Sequence, residues 1–213
     1  SWWQQPDIQS HLENLFAPVG EMSRKLGVKI SFHPGQFCVL ASDTPDIVER
    51  SIEEFEYHAD MARWMGFGKS FQDGCKINVH ISGRQGPEGI KKALPRLSQE
   101  ARNLITIEND EMGHGLEKSL ELEKHLALVL DIHHHWIRDE EYIEPTDDRV
   151  KRVIDSWRGQ RPSMHYSYSR DEHLAVAGLS DKTHTEMHNI KDLLERGCKK
   201  QKLRAHSDLL PNK

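Results

Sequence analysis

Four apolar, strand-like runs each end on a side chain able to ligate a metal: KISFHPG on His33, KINVHISG on His80, LITIENDE on Glu108 and LVLDIHHH on Asp131. A fifth candidate, His165 in PSMHYSYS, follows, so that successive candidates stand 47, 28, 23 and 34 residues apart. A single histidine closing one strand is more often a hydrogen-bonded structural residue than a ligand. Repetition at equivalent positions changes that reading. Two imidazoles and two carboxylates brought together would be costly to desolvate without a counter-charge, which a divalent cation supplies. A nitrogen and oxygen donor set without thiolate suits Zn²⁺, Mn²⁺ or Fe²⁺ better than Ca²⁺ or Mg²⁺. Glu108 lies between the two pairs of candidates, where a carboxylate can bridge two cations. Two cations about 4 Å apart can activate water and stabilise the leaving oxygen of a phosphodiester.

The run DIHHHW offers three more imidazoles, but strand-end side chains alternate in direction. Asp131 and at most one of the three histidines therefore share a cluster, leaving His133 and His135 to be read as solvated loop residues. His11, His58, His114 and His125 fall on polar or helical stretches and are read as surface residues. Gln36 and Phe37 follow HPG on a loop above the proposed rim, where an amide and an aromatic ring could probe a base stack. Taken alone, Phe37 reads as a buried loop anchor.

These residues converge only if the intervening segments arrange the strands side by side. Apolar residues at helical spacing mark helices over Asp7–Lys25 and Pro45–Gly66, with strands at Val28–Phe32 and Lys76–Val79. A helix over Gly86–Arg102 with a break near Pro95, a strand at Leu104–Ile107, a helix at Leu116–His125 and a strand at Ala127–Leu130 continue the alternation. A polar stretch from Arg138 to Asp148 then leads to a helix at Arg149–Trp157 and a short strand at Pro162–Tyr166. Beyond it come a helix at Thr185–Arg196, a basic run, KKQKLR, that reads as a solvated helix end, and a sixth strand near Leu203. Strands alternating with helices give a parallel sheet, and closing it into a barrel would bring every strand C-terminus to one rim. The expected architecture is an α/β TIM (β/α)8 barrel with five or six of eight strands present, in a single partial domain over residues 1–213.

Composition narrows the setting. At 213 residues, with 36% hydrophobic and 30% charged content, the chain can bury one core and contains no run long enough for a bilayer. Cys38, Cys75 and Cys198 form no CxxC pair, and the N-terminus lacks the pattern of a secretory signal, so a reducing cytoplasm is the expected compartment. A formal charge of −5 argues weakly against a general nucleic-acid coat, although three bound divalent cations would offset it.

Taken in order, SFHPGQF, KINVHISG, TIENDE, LVLDIHHHW, MHYSYS and RAHSDL resemble the bacterial UV damage endonuclease family across essentially the whole chain. The resemblance implies a TIM barrel related to endonuclease IV and the xylose-isomerase-like enzymes, acting as a monomer in the bacterial cytoplasm. It implies an ATP-independent repair enzyme that nicks damaged double-stranded DNA 5′ to ultraviolet photoproducts. By the same resemblance His33, His80 and Glu108 would hold one metal, Glu108, Asp131 and His165 a second, and His134 with His206 a third. Manganese is the implied ion, with zinc the alternative. Glu108, Asp131 and His165 would flank the reacting phosphate, Asp208 would ligate or support a ligand, and Gln36 and Phe37 would be the lesion-probing pair.

The sequence departs from the family pattern in three places. That pattern puts two strands before residue 1, one with a further probing aromatic, and a last strand with a glutamate ligand after Lys213. It often has a lysine two positions before the His165 equivalent, where Ser163 stands here. Without the first two strands and the last, the sheet should have two unpaired edges and an exposed apolar inner face, and this segment alone should cleave DNA less than a longer form. The same barrel and metals could also serve an abasic-site endonuclease, a sugar isomerase or a DNA-recognition module without catalysis, because fold alone does not fix chemistry.

Overall fold

The computed structural model describes residues 1–166 of the chain, and these pack as one unit, Ser1–Tyr166. His206, Asp208, the basic run, the helix expected at Thr185–Arg196 and the strand expected near Leu203 lie outside the described residues.

The first helix, α1 (Pro6–Leu26), begins with a proline whose missing N–H costs nothing in a first turn. It ends on Gly27, whose φ of 64° lets its N–H turn back to Arg24 and Ser23 carbonyls, a reversal that a β-carbon would hinder. Strand β1 (Ile30–Phe32) follows, then α2 (Pro45–Trp64) and β2 (Cys75–His80). The stretch expected as one broken helix is α3 (Gly86–Ala93), a 3-10 turn at Leu94–Arg96, and α4 (Gln99–Leu104), whose first turn is capped by the Ser98 hydroxyl. The remainder is β3 (Ile105–Glu108), α5 (Leu116–Leu120), β4 (Ala127–Asp131), α6 (Ile132–Asp139), α7 (Asp148–Ser156) and β5 (Met164–His165).

The strands form one parallel sheet in sequence order, β1-β2-β3-β4-β5. Pairing sets Ser31 beside Lys76, Asn78 beside Thr106, His80 beside Glu108, and Asp131 beside His165. Paired residues in a parallel sheet share a face, so the period of two divides the sheet cleanly. One face carries Ile77, Val79, Ile105, Ile107, Leu128 and Leu130, all buried against helices with Phe55, Leu104, Leu116 and Leu120. The other carries Ser31, Lys76, Asn78, Thr106 and the strand-end ligand candidates.

That second face corrects the expectation of an exposed apolar interior. Its lower part is closed by Ala127, Val129, Trp157 and Phe71, and its middle is polar but satisfied. Lys76, buried, donates to the carbonyls of Phe71, Cys75 and Asn103 at 2.6, 3.1 and 3.3 Å and rests over the Phe71 ring. Three donors with three acceptors let an ammonium stay inside the sheet, although burial pushes its pKa down to about 8. The exposed apolar surface lies elsewhere, on Val19, Met22 and Leu26 of α1 and on Val28, beside β1, which has a partner strand on one side only among the described residues.

Ile107 sits at the centre of the helix-facing core with no exposed surface. Ile107→Ala should destabilise the full-length protein by about 2–5 kcal/mol in urea unfolding, and a loss below 1 kcal/mol would show that this face is not close-packed.

Candidate metal centre

Hydrogen bonds rise through the polar face toward Glu108. The Thr106 hydroxyl donates to Asn78 Oδ1 at 3.0 Å, and the Asn78 amide donates to Glu108 Oε2. Glu108 itself is 1% exposed at the C-terminal end of β3, a position a carboxylate occupies only when its charge is answered. Four imidazoles answer it. His165 Nδ1 lies 2.7 Å from Oε1 and His33 Nε2 lies 3.2 Å from Oε2, while His134 and His80 approach to 3.7 and 3.8 Å.

Each of these side chains comes from the end of a strand or the turn after it. His33 follows β1 with its Nδ1 held on the Pro34 carbonyl, His80 ends β2, and His165 ends β5. Asp131 ends β4 and also caps α6, its Oδ1 accepting the His134 N–H at 2.9 Å, so one carboxylate starts the helix that delivers His134. The rings lie side by side, with His33 5.0 Å from His80 and 6.0 Å from His165, and His80 5.2 Å from His134.

Helix α6 replaces the loop expected for DIHHHW, with consequences for each histidine. Consecutive residues on a helix point about 100° apart, so His134 faces the centre while its neighbours do not. His133 stacks on Trp136 at 6.2 Å, and His135, far from solvated, is 1% exposed between Asp139 at 2.9 Å and Glu141 at 3.4 Å. The surface reading of His58 and His114 is corrected in the same way. Both are half-buried: His58 bonds the Glu54 carbonyl, and His114 bonds the Gly83 carbonyl at 2.9 Å, tying the loop after β3 to the loop after β2. The Gln85 amide continues the tie to the Ser42 carbonyl in the loop after β1. From that loop Gln36 and Phe37 project into solvent, Phe37 being 79% exposed, which rules out the buried anchor.

Charge follows the geometry. Burial opposes ionisation of Glu108, yet hydrogen bonds from His165 and His33 hold its carboxyl far below the usual range. Asp131 is held down too, with burial opposing and His165 and the His134 N–H favouring the anion. Asp131 and Glu108 together raise His165 to about 10, and Glu108 raises His33.

Donor atoms within 4.8 Å of one another form three sets among the described residues: His33, Glu108 and His165; Glu108, Asp131 and His134; and His80, Glu111 and His134. Glu108 belongs to two of them, while His80 groups with Glu111 and not with His33. Nitrogen and oxygen donors converging on a buried anion fit a divalent cation. Four residues at the centre carried no separate expectation. Asn78 could have been found as the same-face residue two before His80; Asn109, Asp110 and Glu111 follow Glu108 in ENDE, but only the folded loop shows where they point. Asn109, fully buried, bonds both the N–H and the carbonyl of Asp131 and so locks β3 to β4 beneath the centre.

A family model for the UV-endonuclease UvdE matches residues 3–208. The chain belongs to that family. Members similar to it include the UV-damage endonuclease of Neurospora crassa, 29% identical over 72% of this chain and 26% of the relative. The UV DNA damage endonuclease of Bacillus velezensis is 28% identical over 89% of this chain and 60% of the relative. The crystal structure of SacUVDE shares the fold with a TM-score of 0.66 at 27% identity, over 78% of this chain and 56% of that one. This UvdE-family chain therefore spans between about a quarter and three fifths of the length of these relatives. Among its described residues no helix is long and apolar enough to cross a membrane.

Metal uptake should depend on pH with a definite sign. Without a bound cation His165, at about 10, is protonated at neutral pH, Glu108 shifts His33 in the same direction, and a ligand nitrogen must lose its proton to bind. Binding of Mn²⁺ to the full-length protein should therefore release protons, and its affinity should climb from pH 6 toward pH 10, roughly tenfold per unit for each proton displaced. Calorimetry in buffers of different ionisation heat measures both. A flat affinity without proton release would exclude these imidazoles as ligands.

Proposed function

We propose that this chain carries the metal centre and part of the DNA-contacting rim of an endonuclease that hydrolyses the phosphodiester 5′ to ultraviolet photoproducts. Its five described strands would be consecutive strands of a TIM barrel. The observation that carries the reading is Glu108, a nearly inaccessible carboxylate at which four strands and one helix deliver His33, His80, His134, His165 and Asp131. Membership of the UvdE family supports the substrate, since the relatives are named for UV damage.

His33, Glu108, Asp131, His134 and His165, with His80 and Glu111 beside them, would hold two or three divalent cations, Mn²⁺ by the family resemblance or Zn²⁺ as the alternative. Such cations supply Lewis-acid charge to a phosphoryl group and lower the pKa of water. The chain's own part is to place the phosphate. Asn78 and Thr106 fix the Glu108 carboxylate from below, Asn109 fixes Asp131 from the side, and the three tied loops give the rim a rigid surface. Gln36 and Phe37 would enter the duplex where stacking is already weakened by a dimer, so that selectivity follows from the low cost of deforming damaged DNA.

The full-length protein with Mn²⁺ should nick irradiated plasmid and leave unirradiated plasmid intact. Nicking confined to abasic DNA would transfer the protein to the rival nuclease class, and damage-selective binding without a break would leave it a recognition module. Phe37→Ala should lower nicking of irradiated plasmid by about 5- to 150-fold, the worth of one aromatic stack, with bound metal unchanged. Equal nicking by variant and wild type would remove Phe37 from the probe.

A further inference from the structure

Three of the four imidazoles around Glu108 have Nδ1 set on an acceptor other than Glu108 itself, and the acceptors differ in kind. His33 uses the main-chain carbonyl of Pro34 at 3.1 Å and His134 that of Asn109 at 3.0 Å. His80 uses a side chain: its Nδ1 stands 3.0 Å from Oδ2 of Asp110, and its Nε2 points back to Glu108 at 3.8 Å. We propose that Asp110 is a positioning residue of the metal centre, fixing His80 with its proton on Nδ1 so that Nε2 is the nitrogen offered to a cation. The inference rests on the metal-centre reading above and adds to it a residue outside the donor sets.

The physical argument is one of donors and acceptors. A carboxylate only accepts, so an imidazole within 3.0 Å of Asp110 must donate through Nδ1. A neutral imidazole has one N–H, and placing it on Nδ1 leaves the lone pair on Nε2, the nitrogen facing Glu108. Hydrogen bonding of the remote nitrogen to an anion also makes the ligand nitrogen a better base.

Asp110 is itself held from its other end. Its Oδ1 accepts the Met112 N–H at 2.8 Å and the Gly113 N–H, while its own N–H donates to the His114 carbonyl at 3.0 Å. His114 is the residue bonded to the Gly83 carbonyl in the neighbouring loop. One carboxylate thus spends one oxygen on closing the turn and the other on the imidazole, and the rim loops are mechanically joined to a ligand. The two duties can be separated chemically. In Asp110→Asn the amide oxygen can still accept from Met112 and Gly113, but the amide nitrogen that replaces Oδ2 is a donor. His80 would then have to accept through Nδ1 and carry its proton on Nε2, which blocks that nitrogen as a ligand.

Nitrogen-15 histidine spectra of the metal-free, full-length wild type should show neutral His80 protonated on Nδ1. In Asp110→Asn the proton should move to Nε2 and the affinity for Mn²⁺, measured against a competing chelator, should fall ten- to a hundredfold, with the thermal midpoint of the metal-free protein little changed. A wild-type His80 protonated on Nε2 overturns the proposal, and that measurement stands even if the variant does not fold. A folded variant with wild-type tautomer and affinity overturns it as well. Neither readout involves DNA, so failure of the protein to nick irradiated plasmid would count against the proposed function and leave this assignment standing.

Discussion

A carboxylate that reaches almost no water must be matched by positive charge, and the upper half of this molecule is organised by that requirement at Glu108. Four imidazoles gather round it and an asparagine amide reaches it from below. Hydrogen bonds from His165 and His33 favour the Glu108 anion, and Asp131 and Glu108 in turn raise His165. Protons and divalent cations compete for the same lone pairs, so the arrangement that keeps the metal-free fold coherent is the one that would admit metal.

The sheet makes such a cluster affordable by separating its two faces. Helix-side positions are aliphatic and closely packed, and they carry the burial that holds the layers together. Opposite positions step from Lys76 through Asn78 and Thr106 to His80 and Glu108, each polar group finding a partner on the way up. A parallel sheet with a polar inner face needs this full satisfaction, because one unpaired buried group would cost about as much as a hydrogen bond contributes. Among the described residues β1 and β5 are the edge strands, yet the inner face holds together through bonds between side chains more than through apolar filling.

Much of this was legible in the chain. The alternation of periods 3.6 and 2 placed the helices and strands, and His33, His80, Glu108 and Asp131 stood out because each closes an apolar run, with His165 following as a fifth candidate. Strand bounds shifted by one or two residues, as at β3, which begins at Ile105 because Leu104 completes α4. DIHHHW was harder. Read as an extension of β4 it would send His133 and His135 to the same side; the Asp131 cap turns it into a helix that sends three histidines three ways. Nothing local in the sequence distinguishes an aspartate that caps a helix from one that joins a donor set, and here Asp131 does both.

Sequence by itself determined the element order, the parallel α/β class and the residue types that could meet at a metal, because periodicity and side-chain chemistry are local properties written in consecutive residues. Which donors share a set, which nitrogen His80 presents, why Phe37 is exposed while His135 is buried, and what Asn109 and Asp110 do were decided only in three dimensions. Those outcomes depend on distances and angles between residues that the chain separates by tens of positions. Neighbouring strands and loops set them, and no pattern along a single strand encodes them.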